Sequence, residues 1–338
     1  MKTLLTTYKT NKNTDMQNIP IAIELPTIFG MKTVNAFLLK EPEPILIDCG
    51  ENTPESWDAL NKGLQENGLK LSDIKKIYIT HMHIDHVGMA GRIAQEYGTE
   101  IWVNEKSAER VRVYEEFSKV TKKYTIDTTS KLFGIDPDSG FNPKYSSGKS
   151  TGRTRDTWTA VPEENMRIYN IGDKLNLGTE QWEVIHMPGH SETQVIYFQP
   201  ESKKILSADM LLSVTPTPFY ELTEETKGDR IKGLPVMMKS YERLKALDFD
   251  IAYPGHYETI TNPKEIIQKQ VDHIHKRKLQ TLEFIKSGEN SYDKLYPKMY
   301  DKFTITAVTM LIGYIDLLVE EEKIRWIEDD KKVHFELV

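Results

Sequence analysis

Cysteine and long hydrophobic runs are almost absent from this chain of 338 residues. Its single cysteine, Cys49, excludes an intramolecular disulfide and a structural zinc site built from cysteines. No run of about 20 apolar residues is present, so no transmembrane helix is predicted. Residues 1–18 also lack the apolar run of about 7 to 15 residues that a signal peptide carries. These absences predict a cytoplasmic protein without a membrane segment.

Net positive charge is lacking as well. The chain has 44 lysines and arginines against 51 aspartates and glutamates, which gives a formal net charge of −7. An acidic balance disfavours a dedicated nucleic-acid binder and a polybasic membrane binder. The length suits a core domain of roughly 200 to 250 residues with an appendage. The composition therefore predicts a soluble globular protein.

Histidine is the residue type that stands out. Residues 75–80 are typical of a buried strand, and the polar cluster His81, His83, Asp85 and His86 follows directly. Packing imidazoles together is electrostatically costly unless a cation lies between them. Imidazole and carboxylate groups are also common ligands of divalent metals. The cluster therefore predicts a metal site at the end of this strand.

The ends of other predicted strands carry further residues of the same types. These residues are Asp48, His190, Asp209 and His256. A strand end is a rigid place from which a following loop presents a functional side chain. Together with the first cluster they supply enough ligands for two metal ions, with one carboxylate shared between the ions.

The spacing His-x-His-x-Asp-His resembles the signature of the metallo-β-lactamase superfamily. The resemblance extends over residues 21–261 and rests on five motifs in the order of that family, at residues 47–50, 80–88, 187–191, 207–209 and 253–256. It implies an α/β protein of the α+β type with the αβ/βα sandwich of that family. In this fold two mixed sheets lie back to back, helices cover their outer faces, and the metals lie at one edge.

The resemblance also implies a role for each polar residue. His81, His83 and His190 would hold a first metal, Asp85, His86 and His256 would hold a second, and Asp209 would bridge the two. Asp48 would orient a ligand histidine, as metal sites generally require. Asp85 and Asp209 are the candidate catalytic residues, as acceptors of the nucleophile's proton. The two divalent ions are predicted to be Zn²⁺, with Mn²⁺ or Fe²⁺ as alternatives.

Several residues near these motifs need a separate interpretation. Tyr257 follows His256 where glycine is common in the family, and it is a candidate for the substrate pocket. Tyr145 is a second candidate, because it lies in an insertion at about 105–165 that is predicted to be an irregular, lid-like segment from residue 125 to 159. His186 is interpreted as structural, and Cys49 as a packed core residue.

The last quarter of the chain differs in pattern from the rest. Residues 1–262 are predicted to form the catalytic domain and residues 263–338 a small winged-helix-like C-terminal domain, with a closing hairpin of strands 324–328 and 333–337. This segment carries 13 basic and 14 acidic residues. That balance disfavours contact with nucleic-acid phosphates.

The resulting functional prediction is a dinuclear metal-dependent hydrolase that acts through a metal-bridging hydroxide. The preferred substrate is an ester, thioester or lactone of a small metabolite, as in the glyoxalase II-like branch of the superfamily. One alternative is a phosphodiesterase or ribonuclease, because the C-terminal segment is similar to that of the lactamase-like protein 2 group. Another is a non-catalytic regulatory or binding protein. A homodimer is the oligomeric state considered.

Overall fold

A computed structural model describes residues 19–28, 31–134, 158–219, 230–328 and 333–338. Its first sheet contains the strands β1 (Ile21–Pro26), β2 (Thr33–Leu39), β3 (Ile45–Ile47), β4 (Lys76–Tyr78), β5 (Glu100–Asn104) and β6 (Met166–Tyr169), hydrogen-bonded in chain order. The first three strands pair antiparallel, and β3 to β6 pair parallel. The sheet is therefore mixed, as the sandwich prediction requires.

A second mixed sheet faces the first. It contains β7 (Lys174–Leu177), β8 (Glu180–His186), β9 (Val195–Gln199), β10 (Lys204–Ala208) and β11 (Ile251–Pro254), in the order β11-β10-β9-β8-β7. Strands β10 and β11 are parallel, whereas the other pairs are antiparallel. Parallel neighbours end at the same edge of a sheet, so the residues after β10 and β11 lie side by side.

Helices lie outside the two sheets. Those in the described residues are α1 (Pro54–Glu66), α2 (Ile84–Val87), α3 (Ala90–Tyr97), α4 (Glu105–Arg112), α5 (Tyr114–Phe133), α6 (Gly233–Ala246), α7 (Pro263–Lys286), α8 (Tyr292–Met299) and α9 (Ile305–Glu320). In the described ranges, none of these helices has the length and apolar character needed to cross a membrane.

The layers follow from the alternation of side chains along the strands. Ile45 and Ile47 of β3 pack between the sheets, in one cluster with Trp182 of the second sheet. Leu46, between them, points to the other face and packs with Leu60 of α1. A short strand that is apolar throughout is thus buried on both faces. The predicted αβ/βα sandwich is confirmed.

The insertion is more regular than its composition suggests. It contains α4 and α5, and α5 continues to Phe133, so the prediction of irregular structure is wrong for residues 125–133. The buried Leu132 and Phe133 join the core cluster of the C-terminal helices, and the Phe133 ring lies 5.6 Å from that of Tyr296. Most helical stability comes from such packing and not from local propensity. Tyr145 lies outside the described residues, and a lid role for the insertion stays a prediction.

The C-terminal segment has the predicted helices and hairpin. Strands β12 (Ile324–Glu328) and β13 (Val333–Leu337) pair antiparallel, with the predicted bounds. Helix α8 was not predicted. The buried faces of α7 and α9 share one hydrophobic cluster with α6, so the segment packs directly on the second sheet's helix layer. The domain division at residue 262 stays a prediction.

Candidate metal centre

The predicted ligands converge at one edge of the sandwich. Three groups have ligand atoms within 4.8 Å of one another: His81, His83 and His190; His81, His86 and Asp209; and Asp85, His86 and His256. All seven residues of the predicted ligand set are therefore brought together. Six of them are buried, whereas His83 is partly exposed, so the cluster opens toward solvent on the His83 side.

Local structure explains how the residues arrive there. His81 comes soon after β4, and the chain then turns into α2, whose four residues include Asp85 and His86. Asp209 and His256 follow the parallel strands β10 and β11. Because these strands end at the same edge, their following residues meet although they are far apart in the chain.

Asp209 lies between the two sets of histidines. Its Oδ2 is 3.2 Å from His190 Nε2 and 3.2 Å from His256 Nε2. Its Oδ1 is 3.4 Å from His86 Nε2. One carboxylate thus faces residues of both predicted ligand sets, which is the position that a shared ligand would need.

Two of the histidine rings are oriented by hydrogen bonds from their Nδ1 atoms to backbone carbonyls. His190 Nδ1 donates to the Thr217 carbonyl at 2.9 Å, and His256 Nδ1 donates to the Thr33 carbonyl at 2.6 Å. A carbonyl oxygen only accepts, so these Nδ1 atoms carry the proton and each Nε2 is directed at the cluster. Sequence reasoning missed Thr33 and Thr217, because a backbone carbonyl leaves no signature in the residue type.

The inward-facing atoms test whether a metal fits. Within the described part of the chain, His81 Nε2, His86 Nε2, His256 Nε2 and Asp209 Oδ1 are buried and have no hydrogen-bond partner. Buried polar atoms in proteins nearly always have one. Imidazole nitrogens and carboxylate oxygens that point at a common centre are suitable ligands for a divalent cation. The donor set therefore fits a metal.

Charge within the cluster shifts the pKa values of its members in opposite directions. Burial opposes ionisation of Asp209, but the neighbouring His256 and His86 hold the pKa of its carboxyl well below the usual range. Although burial acts against it, the charge of Asp209 raises the pKa of His256 to about 10. Burial, together with His83, lowers the pKa of His190 to about 4. Despite burial, the charges of Asp209 and Asp48 also raise the pKa of His86 well above its ordinary value. Protons on His256 and His86 therefore compete with a metal ion at neutral pH.

Metal loading is expected to release these protons. On His256 the displaced proton is the one on Nε2, since Nδ1 is fixed on a carbonyl. A metal needs the neutral ring, so below a pKa of about 10 each binding event must displace the proton, and apparent metal affinity should rise with pH. Isothermal titration calorimetry of Zn²⁺ binding in buffers of different ionisation enthalpy would measure the released protons. A binding enthalpy that is independent of the buffer would contradict the expectation.

Asp48 contacts the cluster through the ring of His86. Its Oδ2 accepts hydrogen bonds from His86 Nδ1 at 2.7 Å and from Thr80 Oγ1 at 2.7 Å, and its Oδ1 accepts from the Thr80 backbone N–H at 2.8 Å. This is the contact that the predicted orienting role of Asp48 requires. Thr80, which the sequence did not single out, ties the same carboxylate to the end of β4.

Replacing Asp48 by asparagine is expected to weaken metal binding. A side-chain amide at this position could not accept from all three donors, so the His86 ring would lose its fixed orientation. Loss of such an outer partner typically lowers metal affinity by about 10- to 100-fold. Competition with a chromophoric chelator would measure the change. Asp173→Asn is the matched control, because Asp173 Oδ2 accepts a backbone N–H from Asn170 in an exposed turn; equal affinity of the two variants would refute the role of Asp48.

The remaining candidates are placed as follows. His186 Nε2 donates to the Glu192 carbonyl at 2.7 Å, a backbone group outside the cluster, in keeping with a structural role. Cys49 is fully buried, and burial raises the pKa of its thiol, so it is no nucleophile. The Tyr257 ring lies 6.4 Å from that of His256. Its part in substrate binding stays a prediction.

An αβ/βα sandwich with a histidine and aspartate cluster at one edge defines a class of metal-dependent hydrolases. The family model of the metallo-beta-lactamase superfamily matches residues 30–256, and the chain belongs to that superfamily. It is similar to the probable metallo-hydrolase YqjP of Bacillus subtilis (strain 168), with 28% identity over 321 residues that cover 93% of this chain and 97% of the relative. The enzyme is thus a metal-dependent hydrolase.

Two further proteins are similar to this chain. The hydroxyacylglutathione hydrolase GloC of Haemophilus influenzae is 25% identical over 169 residues, which cover 48% of this chain and 64% of the relative. The crystal structure of the metallo-beta-lactamase family protein TTHA1429 from Thermus thermophilus superposes with a TM-score of 0.75 at 21% identity, covering 94% of this chain and 98% of that one. The second similarity concerns the fold alone.

Proposed function

We propose that the cluster binds two divalent metal ions, with Zn²⁺ preferred and Mn²⁺ or Fe²⁺ as alternatives. His81, His83 and His190 would hold one ion, Asp85, His86 and His256 the other, and Asp209 both. The observation that supports this assignment is the set of buried, unpartnered nitrogen and oxygen atoms that point at a common centre within the described residues. Two ions account for these atoms better than one, because His81, His83 and His190 form one close group and Asp85, His86 and His256 form another, with no residue in common.

The chemistry of the site is hydrolysis. Divalent ions bound there would lower the pKa of a water molecule toward neutrality and polarise the bond to be cleaved. The chain's own contribution is to hold the ligands and to accept a proton. Burial opposes ionisation of Asp85, but His256, whose Nε2 lies 3.5 Å from Asp85 Oδ2, and the charge of His86 lower the pKa of its carboxyl below the usual value. Asp85 and Asp209 are therefore ionised at neutral pH and are the proposed proton acceptors.

The proposed substrate is an ester, thioester or lactone of a small metabolite. The similarity to a relative named hydroxyacylglutathione hydrolase favours acyl cleavage. The charge of the C-terminal segment supports the same choice, since its 14 acidic and 13 basic residues leave it without the net positive charge that binding of a nucleic-acid backbone requires. The substrate would approach from the His83 side, where the cluster is partly exposed.

Metal analysis and a substrate panel test this proposal. The purified protein should contain two equivalents of metal by mass spectrometry, and His83→Ala should lose metal whereas His273→Ala, on the exposed face of α7, should keep it. Thioesters and lactones should be hydrolysed faster than bis-p-nitrophenyl phosphate and single-stranded RNA. Turnover of the phosphodiesters alone would replace the proposal by a phosphodiesterase. Absence of metal and of activity after addition of Zn²⁺ or Mn²⁺ would reject both.

A further inference from the structure

We propose that Asn35 is a positioning residue for the second metal site. Its side chain and backbone hold the turn at residues 254–257, which presents His256. This role rests on the proposed function, because it gives His256 a metal to bind. The Asn35 amide is hydrogen-bonded to the turn, so it would act on the metal only through the turn.

Asn35 is a buried polar residue in a mostly apolar strand. It lies on β2 between Val34 and Ala36, and only 3% of it is exposed. Its Nδ2 donates to the Pro254 carbonyl at 2.9 Å and to the Tyr257 carbonyl at 2.8 Å. All the hydrogens of the side-chain amide are thus used on two carbonyls that flank His256.

The backbone of β2 completes the contact. The N–H of Asn35 donates to the Gly255 carbonyl at 2.7 Å, and the Thr33 carbonyl accepts from His256 Nδ1 at 2.6 Å. Residues two apart on a strand have the same orientation, so positions 33 and 35 both face the turn. Strand β2 belongs to the first sheet and the turn follows β11 of the second. These bonds therefore fix one sheet edge against the other at the metal cluster.

The turn needs this support because of its own backbone. Tyr257 has φ of 68°, in the left-handed region that residues with a Cβ disfavour. Its carbonyl is one of the two that Asn35 holds. If the amide is removed, the turn can relax toward negative φ at Tyr257, and His256 Nε2 would move from its position 3.2 Å from Asp209 Oδ2.

Asn35→Ala is therefore expected to weaken one metal site selectively. Titration of metal-free protein with Co²⁺, followed by visible absorbance, should show two binding steps for the unsubstituted chain. In the variant, the affinity of the step assigned to Asp85, His86 and His256 should fall about tenfold, as is typical for loss of an outer partner. The other step should be unchanged. Gln199→Ala is the control. Gln199 is also a buried side-chain amide at a turn, since its Oε1 accepts hydrogen bonds from the backbone N–H and the hydroxyl of Ser202, but this turn follows the last residue of β9 and contains no metal ligand.

A second substitution separates positioning from a general loss of stability. Glycine adopts positive φ without the Cβ penalty, so Tyr257→Gly in the Asn35→Ala background should restore most of the lost Co²⁺ affinity. A merely structural role of Asn35 predicts no rescue, because Tyr257→Gly removes further contacts. Equal affinities for Asn35→Ala and the unsubstituted chain, or a loss without rescue, would overturn the inference. If the unsubstituted chain binds no Co²⁺, the proposed function itself fails, and the role of Asn35 fails with it.

Discussion

Asp209→Asn is expected to abolish nearly all hydrolysis while the fold remains. Asp209 faces His86, His190 and His256 within 3.4 Å, and the charges of His256 and His86 keep its carboxylate ionised. Asparagine removes that charge and places an N–H₂ group against ring nitrogens that should bind metal. A bound metal lowers the activation free energy of hydrolysis by several kcal/mol. Turnover should therefore fall roughly a thousandfold, which corresponds to about 4 kcal/mol in activation free energy.

Steady-state kinetics and metal content of the same preparation would measure this loss. Asp316→Asn is a matched control, because Asp316 on α9 is also a buried carboxylate but pairs with Arg230 and not with the cluster. The control variant should lose stability and keep its metal. Full activity of Asp209→Asn would contradict the assignment of Asp209 as the shared ligand.

Gly255→Ala is expected to disrupt the site through steric overlap alone. A Cβ at Gly255 would lie 2.2 Å from Asp209 Oδ1 and 2.7 Å from His86 Cε1, distances that are too short for non-bonded atoms. Either the carboxylate or the ring must then move away from the metal position. Because a displacement of about 1 Å can cost roughly 100-fold in rate, we expect at least that loss of turnover together with weaker metal binding.

A glycine away from the site separates this effect from simple destabilisation. Gly98 ends α3 with φ of 70°, and a Cβ there meets no atom within 4 Å. Gly98→Ala should cost about 1 to 2 kcal/mol of unfolding free energy for the left-handed backbone and leave metal content unchanged. Thermal unfolding and metal analysis of both variants would show the difference. If Gly255→Ala retains its metal and its turnover, the steric overlap at Gly255 does not control the site and the prediction is wrong.

Much of the fold was predictable because it depends on local pattern. The apolar run Ile45 to Ile47 is a strand buried on both faces, and the C-terminal hairpin has the bounds that its alternation predicts. Helix α5 was predicted only in its first part. Its last residues, Leu132 and Phe133, are helical because they pack on C-terminal aromatic rings far away in the chain. A window of local sequence holds no information about such partners.

The candidate site divides in the same way. The five motifs and the family resemblance that they carry predicted which side chains meet, and these side chains follow strands of both sheets at one edge of the sandwich. The hydrogen-bond partners that orient these side chains were not predictable. Thr33 and Thr217 act through backbone carbonyls, and Asn35 reaches the turn after β11 from the other sheet.

The order of residues along the chain was enough to predict a metal-dependent enzyme with nitrogen and oxygen ligands, because three histidines and an aspartate within six residues are costly to pack together without a cation. The packing of the two sheets was needed to show which nitrogen of each ring faces inward and that Asp209 stands between the two histidine sets. The same packing places Asn35 against the carbonyls before and after His256. Hydrogen bonds between groups far apart in the chain depend on how the two sheets meet, and no local pattern records that.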